Sequence, residues 1–201
     1  MNLANKITLA RIILVPIIMF FLLVNIDMPP ISIDIIDFEI TYNQIIATLI
    51  FIIAASTDGL DGYIARKKNM VTTLGKLLDP LADKFLVTAV LISLVEMNEM
   101  DKYPGMAIIA FIIISREFAV TGLRMVALSY GKVIAASKWG KWKTGVQITA
   151  IIALLLNNFP FEALGIPFAQ IAMWVAAAIT IYSGIDYFNK NKDVITFDGK
   201  Q

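Results

Sequence analysis

Six long apolar blocks, at residues 9–26, 44–64, 80–97, 104–127, 143–158 and 167–187, leave this chain few ways to fold. Each is close to the roughly 20 residues that carry a helix across a bilayer. Lipid offers no partner to an open backbone N–H or C=O, so a block of this kind spans as a helix. Composition agrees: 58% of the 201 residues are hydrophobic and 16% charged, against about 25% charged in a soluble domain. Mean hydropathy is +0.75. The expected fold is an all-α integral membrane protein with six transmembrane helices, built as one domain over residues 1–201 without internal repeats or linkers. The apolar part of the first block, Ile12 to Val24, follows Lys6 and Arg11, and no small-residue cleavage site comes after it. It reads as a span rather than a signal peptide, preceded by a short juxtamembrane segment, Asn2 to Thr8.

Charge sets the orientation. Of the 17 Lys and Arg residues, 14 fall in segments 1–11, 66–76, 124–143 and 188–201, whereas the intervening connections 27–43, 98–103 and 158–166 hold only Lys102 among seven acids. Basic residues stay on the cytoplasmic side, so both termini are expected there. The stretch Ile31 to Ile40 partly alternates apolar and acidic residues and is read as a short interfacial hairpin or amphipathic piece on the outer face.

The chain contains no Cys and no His. It therefore lacks a thiolate nucleophile, an imidazole base and the usual zinc ligands. Acid–base and metal chemistry must rest on carboxylates, whose oxygens suit hard cations such as Mg²⁺ or Mn²⁺.

Four aspartates stand out. The second block ends with Asp58-Gly59-Leu60-Asp61-Gly62-Tyr63-Ile64-Ala65-Arg66, and Gly75-Lys76-Leu77-Leu78-Asp79-Pro80-Leu81-Ala82-Asp83 opens the third. Asp58 and Asp61 are three apart and Asp79 and Asp83 four apart, so on helices each pair shares a face. The short basic turn between the blocks would set the two helices side by side. Asp79 before Pro80 could serve as a helix N-cap, but capping does not account for the other three. Four acids at membrane depth are costly unless neutralised. Two divalent cations would balance them, and paired metals are a known device for displacement at phosphorus. Gly62, Ala65 and Gly75 keep bulk away from the acids, although small residues also serve plain helix packing.

The pattern D-x-x-D-G-x-x-A-R, eight residues, then G-x-x-x-D-x-x-x-D closely resembles the signature of the CDP-alcohol phosphotransferases, with every signature position kept. The resemblance implies two divalent metal ions, Mg²⁺ or Mn²⁺, on Asp58, Asp61, Asp79 and Asp83, with Asp83 also the general base. It places Asp61, Gly62, Ala65, Arg66, Gly75 and Asp79 beside the CDP group, and implies a homodimer.

A second cluster is cationic: Arg116-Glu117 and Arg124 on the fourth block, then Ser137-Lys138-Trp139-Gly140-Lys141-Trp142-Lys143-Thr144. Arg116 lies within an apolar run, where an unpaired guanidinium is expensive; its partner is expected to be Glu117 or one of the aspartates. Arg and Lys here suit an acceptor that carries its own phosphate, bound by Arg116, Arg124, Lys138 and Lys141. The plainer reading is topology-setting charge that attracts anionic headgroups, and Lys132 and Lys143 stand evenly between the two. Trp139 and Trp142 read as interfacial anchors.

R-E-F-A-V-T-G-L-R followed by A-S-K-W-G-K-W-K-T looks like the phosphatidylglycerophosphate synthase branch of that family. The opening N-K-I-T-L-A-R is similar too, which implies Asn5, Thr8 and Arg11 at the nucleotide. The branch implies CDP-diacylglycerol and glycerol 3-phosphate as substrates and membrane lipids as surroundings, with no nucleic-acid partner. It also implies a bacterial plasma membrane, with the active site facing the cytoplasm. Two rivals remain: a family member with another acceptor (inositol phosphate, serine or phosphatidylglycerol) and a divalent-cation transporter. Against the transporter, the acids cluster at one membrane face beside a basic stretch, and no inverted repeat is visible.

Overall fold

Apolar blocks joined by short polar connections produce six long helices and one small hairpin among the described residues. The computed structural model describes residues 3–24, 30–33, 38–67, 73–97, 103–131, 134 and 138–192; within these elements, the side chains of residues 3–5, 33, 58–67, 73–81, 83, 129, 138, 139 and 141 lie outside the description. The helices are α1 (Leu3–Leu23), α2 (Tyr42–Lys67), α3 (Thr73–Glu96), α4 (Met106–Ser129), α5 (Lys138–Leu155) and α6 (Phe168–Lys190), with one 3₁₀ turn, Phe161–Leu164. Three described helical stretches, Lys6–Leu23, Met106–Leu128 and Phe168–Lys190, are long and apolar enough to cross a membrane, and only 22%, 33% and 39% of them is buried within the protein. Ile53, Phe111, Phe118, Met125 and Ile185 point outward, an arrangement that lipid tolerates and water would not.

Helix α1 packs against α2 and α3; α6 packs against α4 and α5; α3 joins the two groups through α4 and α5. Their common core holds Ile18, Phe51, Leu91, Ile113, Ile151 and Met173. Beside Met173 and Tyr187, the inner face of α6 presents small residues, Ala169, Ala176, Ala177, Thr180, Ser183 and Gly184, which let backbones approach closely. A smaller cluster, Val120, Leu123, Ala127 and Tyr187, joins the last turns of α4 and α6.

The segment between α1 and α2 contains strands β1 (Ile31–Ile33) and β2 (Phe38–Ile40), which pair antiparallel with Ile31 opposite Ile40 and Ser32 opposite Glu39. Of the two forms expected for this stretch, the hairpin is the one present, and it is the departure from an all-helical chain among the described residues. It is tied to the far end of α5: Asn157 Nδ2 donates to the Glu39 carbonyl at 2.7 Å, and the Phe38 and Phe159 rings lie 5.2 Å apart.

Helix α1 already runs from Leu3, so the described part of the polar start is helical and continuous with the first apolar block; no Pro or Gly interrupts residues 3–15. Two expectations need correction. Helix α3 begins at Thr73, seven residues before its apolar block. Asp79 is therefore an interior helical residue and not an N-cap, and Pro80 is not at the first turn. Helix α5 likewise begins at Lys138, ahead of its apolar block. In both cases the helix continues into a polar stretch where hydropathy carries no signal.

The α5–α6 turn depends on one residue. Asn158, with a left-handed φ of 66°, is buried; its Nδ2 donates to Glu162 Oε2 and to the Ile166 carbonyl, each at 2.8 Å, and its Oδ1 accepts from the Ala169 N–H at 2.9 Å. That last bond satisfies one of the open donors at the start of α6. Asn158→Ala should destabilise the protein by about 2–4 kcal/mol, since each buried group left unsatisfied costs ~1–3 kcal/mol. Asn158→Asp should be no better, because its carboxylate would face Glu162. Thermal midpoints in detergent would check both.

Candidate active site

The pieces of the site sit near the same end of the helices. A five-residue connection, 68–72, joins α2 to α3, so the last turns of α2 lie near the first turns of α3. Asp58 and Asp61 fall on the helical backbone of α2, as do Gly62, Ala65 and Arg66, while Gly75, Asp79 and Asp83 fall on α3. Helical backbone at both places puts Asp58 with Asp61, and Asp79 with Asp83, on shared helix faces. The side chains of these eight residues, and of Asn5, Lys138 and Lys141, lie outside the described residues. The donor chemistry fits a hard divalent cation: four carboxylates on two contacting helices, with neither Cys nor His in the chain.

Thr8 and Arg11 are buried at 0% and 1% exposure, and each has a polar or ring partner. They are three residues apart on α1, the helix that packs on both aspartate-bearing helices. A buried arginine and threonine on one face are uncommon in a helix that otherwise contacts lipid.

The two arginines of α4 are held differently. Arg116 donates from Nη1 to Glu117 Oε1 at 3.2 Å and from Nη2 to Ser183 Oγ at 2.8 Å. Glu117 also takes the ammonium of Lys143, which is 3% exposed on α5. Gly184 leaves room for the Arg116 chain, as a Cβ there would sit 3.3 Å from its Cγ. Arg124 donates from Nε to the Tyr187 hydroxyl at 3.0 Å, and its guanidinium carbon is 5.5 Å from the centre of that ring. No described residue accepts from the two Nη groups of Arg124, so its terminal fork is open to a ligand.

Ser183 and Tyr187 were not singled out by sequence. Their signal was present: with Thr180 they form a polar line at three- and four-residue spacing on an otherwise apolar helix, and all three are buried. What linked them to the arginines was the packing of α4 on α6, which no local pattern encodes. Lys143, ambiguous in sequence, is an interior residue of the same cluster. A cavity of about 20 Å³ lies between α3, α4 and α5, with Lys84, Thr88, Glu117, Lys143 and Gln147 among its lining residues. Lys84 directly follows Asp83, so the cationic cluster abuts the helix that carries two of the acids. Trp142 is strongly exposed, as an interfacial anchor would be.

Comparison with known proteins supplies the last piece. The family model for CDP-alcohol phosphatidyltransferase matches residues 1–182. A Bacillus subtilis protein described as CDP-diacylglycerol–glycerol-3-phosphate 3-phosphatidyltransferase is 50% identical over 194 residues, covering 96% of this chain and 97% of its own. A Haemophilus influenzae protein of the same description is 38% identical, covering 95% and 94%. A rice cardiolipin synthase (CMP-forming) is 36% identical over 155 residues, covering 71% of this chain and 47% of its own. With the family model spanning nine-tenths of its length and relatives matching nearly end to end, the chain belongs to the CDP-alcohol phosphatidyltransferase family.

Proposed function

We propose that the protein transfers the phosphatidyl group of CDP-diacylglycerol to glycerol 3-phosphate, giving phosphatidylglycerophosphate and CMP. The observation that carries this reading is the fixed cationic cluster of α4, α5 and α6 beside the acid-bearing α3, across the cavity lined by Lys84, Glu117 and Lys143. An acceptor with its own phosphate calls for such a cluster, and the naming of the Bacillus subtilis and Haemophilus influenzae relatives supports that acceptor.

Asp58, Asp61, Asp79 and Asp83 would hold two divalent metal ions, Mg²⁺ or Mn²⁺. When bound, these neutralise charge on the pyrophosphate and ease departure of CMP. Thr8 and Arg11, with Asn5, Asp61, Gly62, Ala65, Arg66, Gly75 and Asp79, border the CDP group; the small residues let it approach the backbone. Arg124, assisted by Arg116, Lys138 and Lys141, draws in the acceptor phosphate. The glycerol hydroxyl oxygen attacks the lipid-bearing phosphorus, its proton passes to Asp83, and the bond to the CMP oxygen breaks.

The chain acts as one domain over residues 1–201, with six spans and both termini in the cytoplasm. The sorting of 14 basic residues to alternate connections supports that orientation. The site then opens to the cytoplasmic side of a bacterial plasma membrane, where glycerol 3-phosphate enters and CMP leaves while the acyl chains stay in lipid. The working unit is a homodimer.

The test is release of CMP from CDP-diacylglycerol by purified protein with Mg²⁺ present, across glycerol 3-phosphate, inositol phosphate, serine and phosphatidylglycerol. Release with glycerol 3-phosphate alone is expected. Release only with phosphatidylglycerol would move the protein to the activity named for its rice relative. No release with any acceptor would remove the reading. Within the expected activity, Arg124→Ala should raise the KM for glycerol 3-phosphate about 10- to 100-fold, because a charge-assisted hydrogen bond contributes roughly 1.5–3 kcal/mol. The KM for CDP-diacylglycerol should move little; an unchanged acceptor KM would exclude Arg124 from the pocket.

A further inference from the structure

Glu117 has no place in the reaction as described, yet it is the centre of the cationic cluster. Its carboxylate takes both Arg116 Nη1, at 3.2 Å, and the Lys143 ammonium, and Arg116 in turn reaches Ser183 at 2.8 Å. One polar chain, Lys143–Glu117–Arg116–Ser183, thus joins α5, α4 and α6. Lys143 is buried, and the Arg116 and Glu117 side chains are 12% and 17% exposed. The triad brings two cations and one anion together. Charges at this depth persist only when compensated or in use. The triad borders the cavity that Lys84 of α3 also lines.

The contacts show how the charge is directed. Glu117 and Ser183 occupy both terminal nitrogens of Arg116, and Glu117 binds Lys143. Both cations are thereby held in fixed places, Arg116 by one bond at each terminal nitrogen and Lys143 by Glu117. The open fork belongs to Arg124, two turns further along α4, which Tyr187 orients through Nε. We propose that Glu117 is a positioning residue for acceptor use: it holds Arg116 and Lys143 in a fixed cationic wall, so that an incoming phosphate is delivered to Arg124. The proposal rests on the reading of this cluster as the acceptor side of the site.

Glu117→Gln keeps the shape and removes the charge. If Glu117 merely neutralised its neighbours, the variant would have a more positive pocket and a lower KM for glycerol 3-phosphate. If it positions them, that KM rises, by about tenfold, with little change in the KM for CDP-diacylglycerol. The double variant Glu117→Gln/Lys143→Gln separates the two cases and guards against a folding defect. It removes one charge of each sign, so local net charge is unchanged and the thermal midpoint should return towards wild type. The acceptor KM should remain raised. A lowered or unchanged acceptor KM in Glu117→Gln, or a wild-type acceptor KM in the double variant, overturns the proposal. The Arg124→Ala control separates the layers. If it raises the acceptor KM while Glu117→Gln does not, only the role of Glu117 fails. If neither changes it, the acceptor pocket itself is misplaced and the proposal falls with it.

Discussion

Asp83→Asn is expected to reduce CMP release by about 10²- to 10⁴-fold, the usual contribution of a general base, while helix content is preserved. Asp83 lies on the regular helical backbone of α3, four residues after Asp79 and directly before Lys84, whose side chain lines the cavity shared with Glu117 and Lys143. Its chain neighbour therefore lines the same cavity as the cationic cluster. Asn keeps the size and one oxygen ligand but cannot take a proton. The measurement is single-turnover CMP release with saturating glycerol 3-phosphate, paired with a thermal midpoint taken in EDTA. Without metal, four clustered carboxylates repel one another, so removing one should leave that midpoint equal to or above that of wild type. Retained turnover would exclude Asp83 as the base. Lost turnover together with a lowered midpoint in EDTA would show a folding defect instead.

Chelation should have an effect of similar size. With EDTA present, CMP release is expected to fall to background and to return on adding excess Mg²⁺ or Mn²⁺. The chain contains no His or Cys that could hold the pyrophosphate charge through a softer metal, and its four signature acids would repel the pyrophosphate if left bare. The thermal midpoint should fall on chelation and recover with the metal, because a ligand that binds the folded state alone stabilises it. Asp58→Asn/Asp61→Asn should abolish that metal-dependent shift. Activity that survives EDTA would overturn the metal reading, whatever the acceptor.

The same helices show how far sequence alone could go. Block lengths and the sorting of basic residues announce long helices, because apolar length is a local property and lipid forbids other spanning forms. The aspartate spacing was legible for the same reason: three- and four-residue intervals have meaning on any helix, and α2 and α3 do run through those positions. Helix starts were not legible. Helices α3 and α5 each begin several residues ahead of their apolar blocks, in polar turns where hydropathy falls silent.

What the sequence by itself determined was a chain of apolar helices carrying four acids in a family signature and two arginines inside the fourth apolar block. Only the tertiary structure decided what those arginines do with their charge. Sequence left Arg116 a choice between Glu117 and an aspartate; in the structure it takes its neighbour Glu117 and, through the packing of α4 against α6, Ser183, while Lys143 of α5 shares the Glu117 carboxylate. It gives Arg124 to Tyr187 and leaves its fork open. The physical reason is range. Periodicity reports which residues share a face of one helix, whereas the partner of a buried charge is chosen by which face of another helix arrives opposite it.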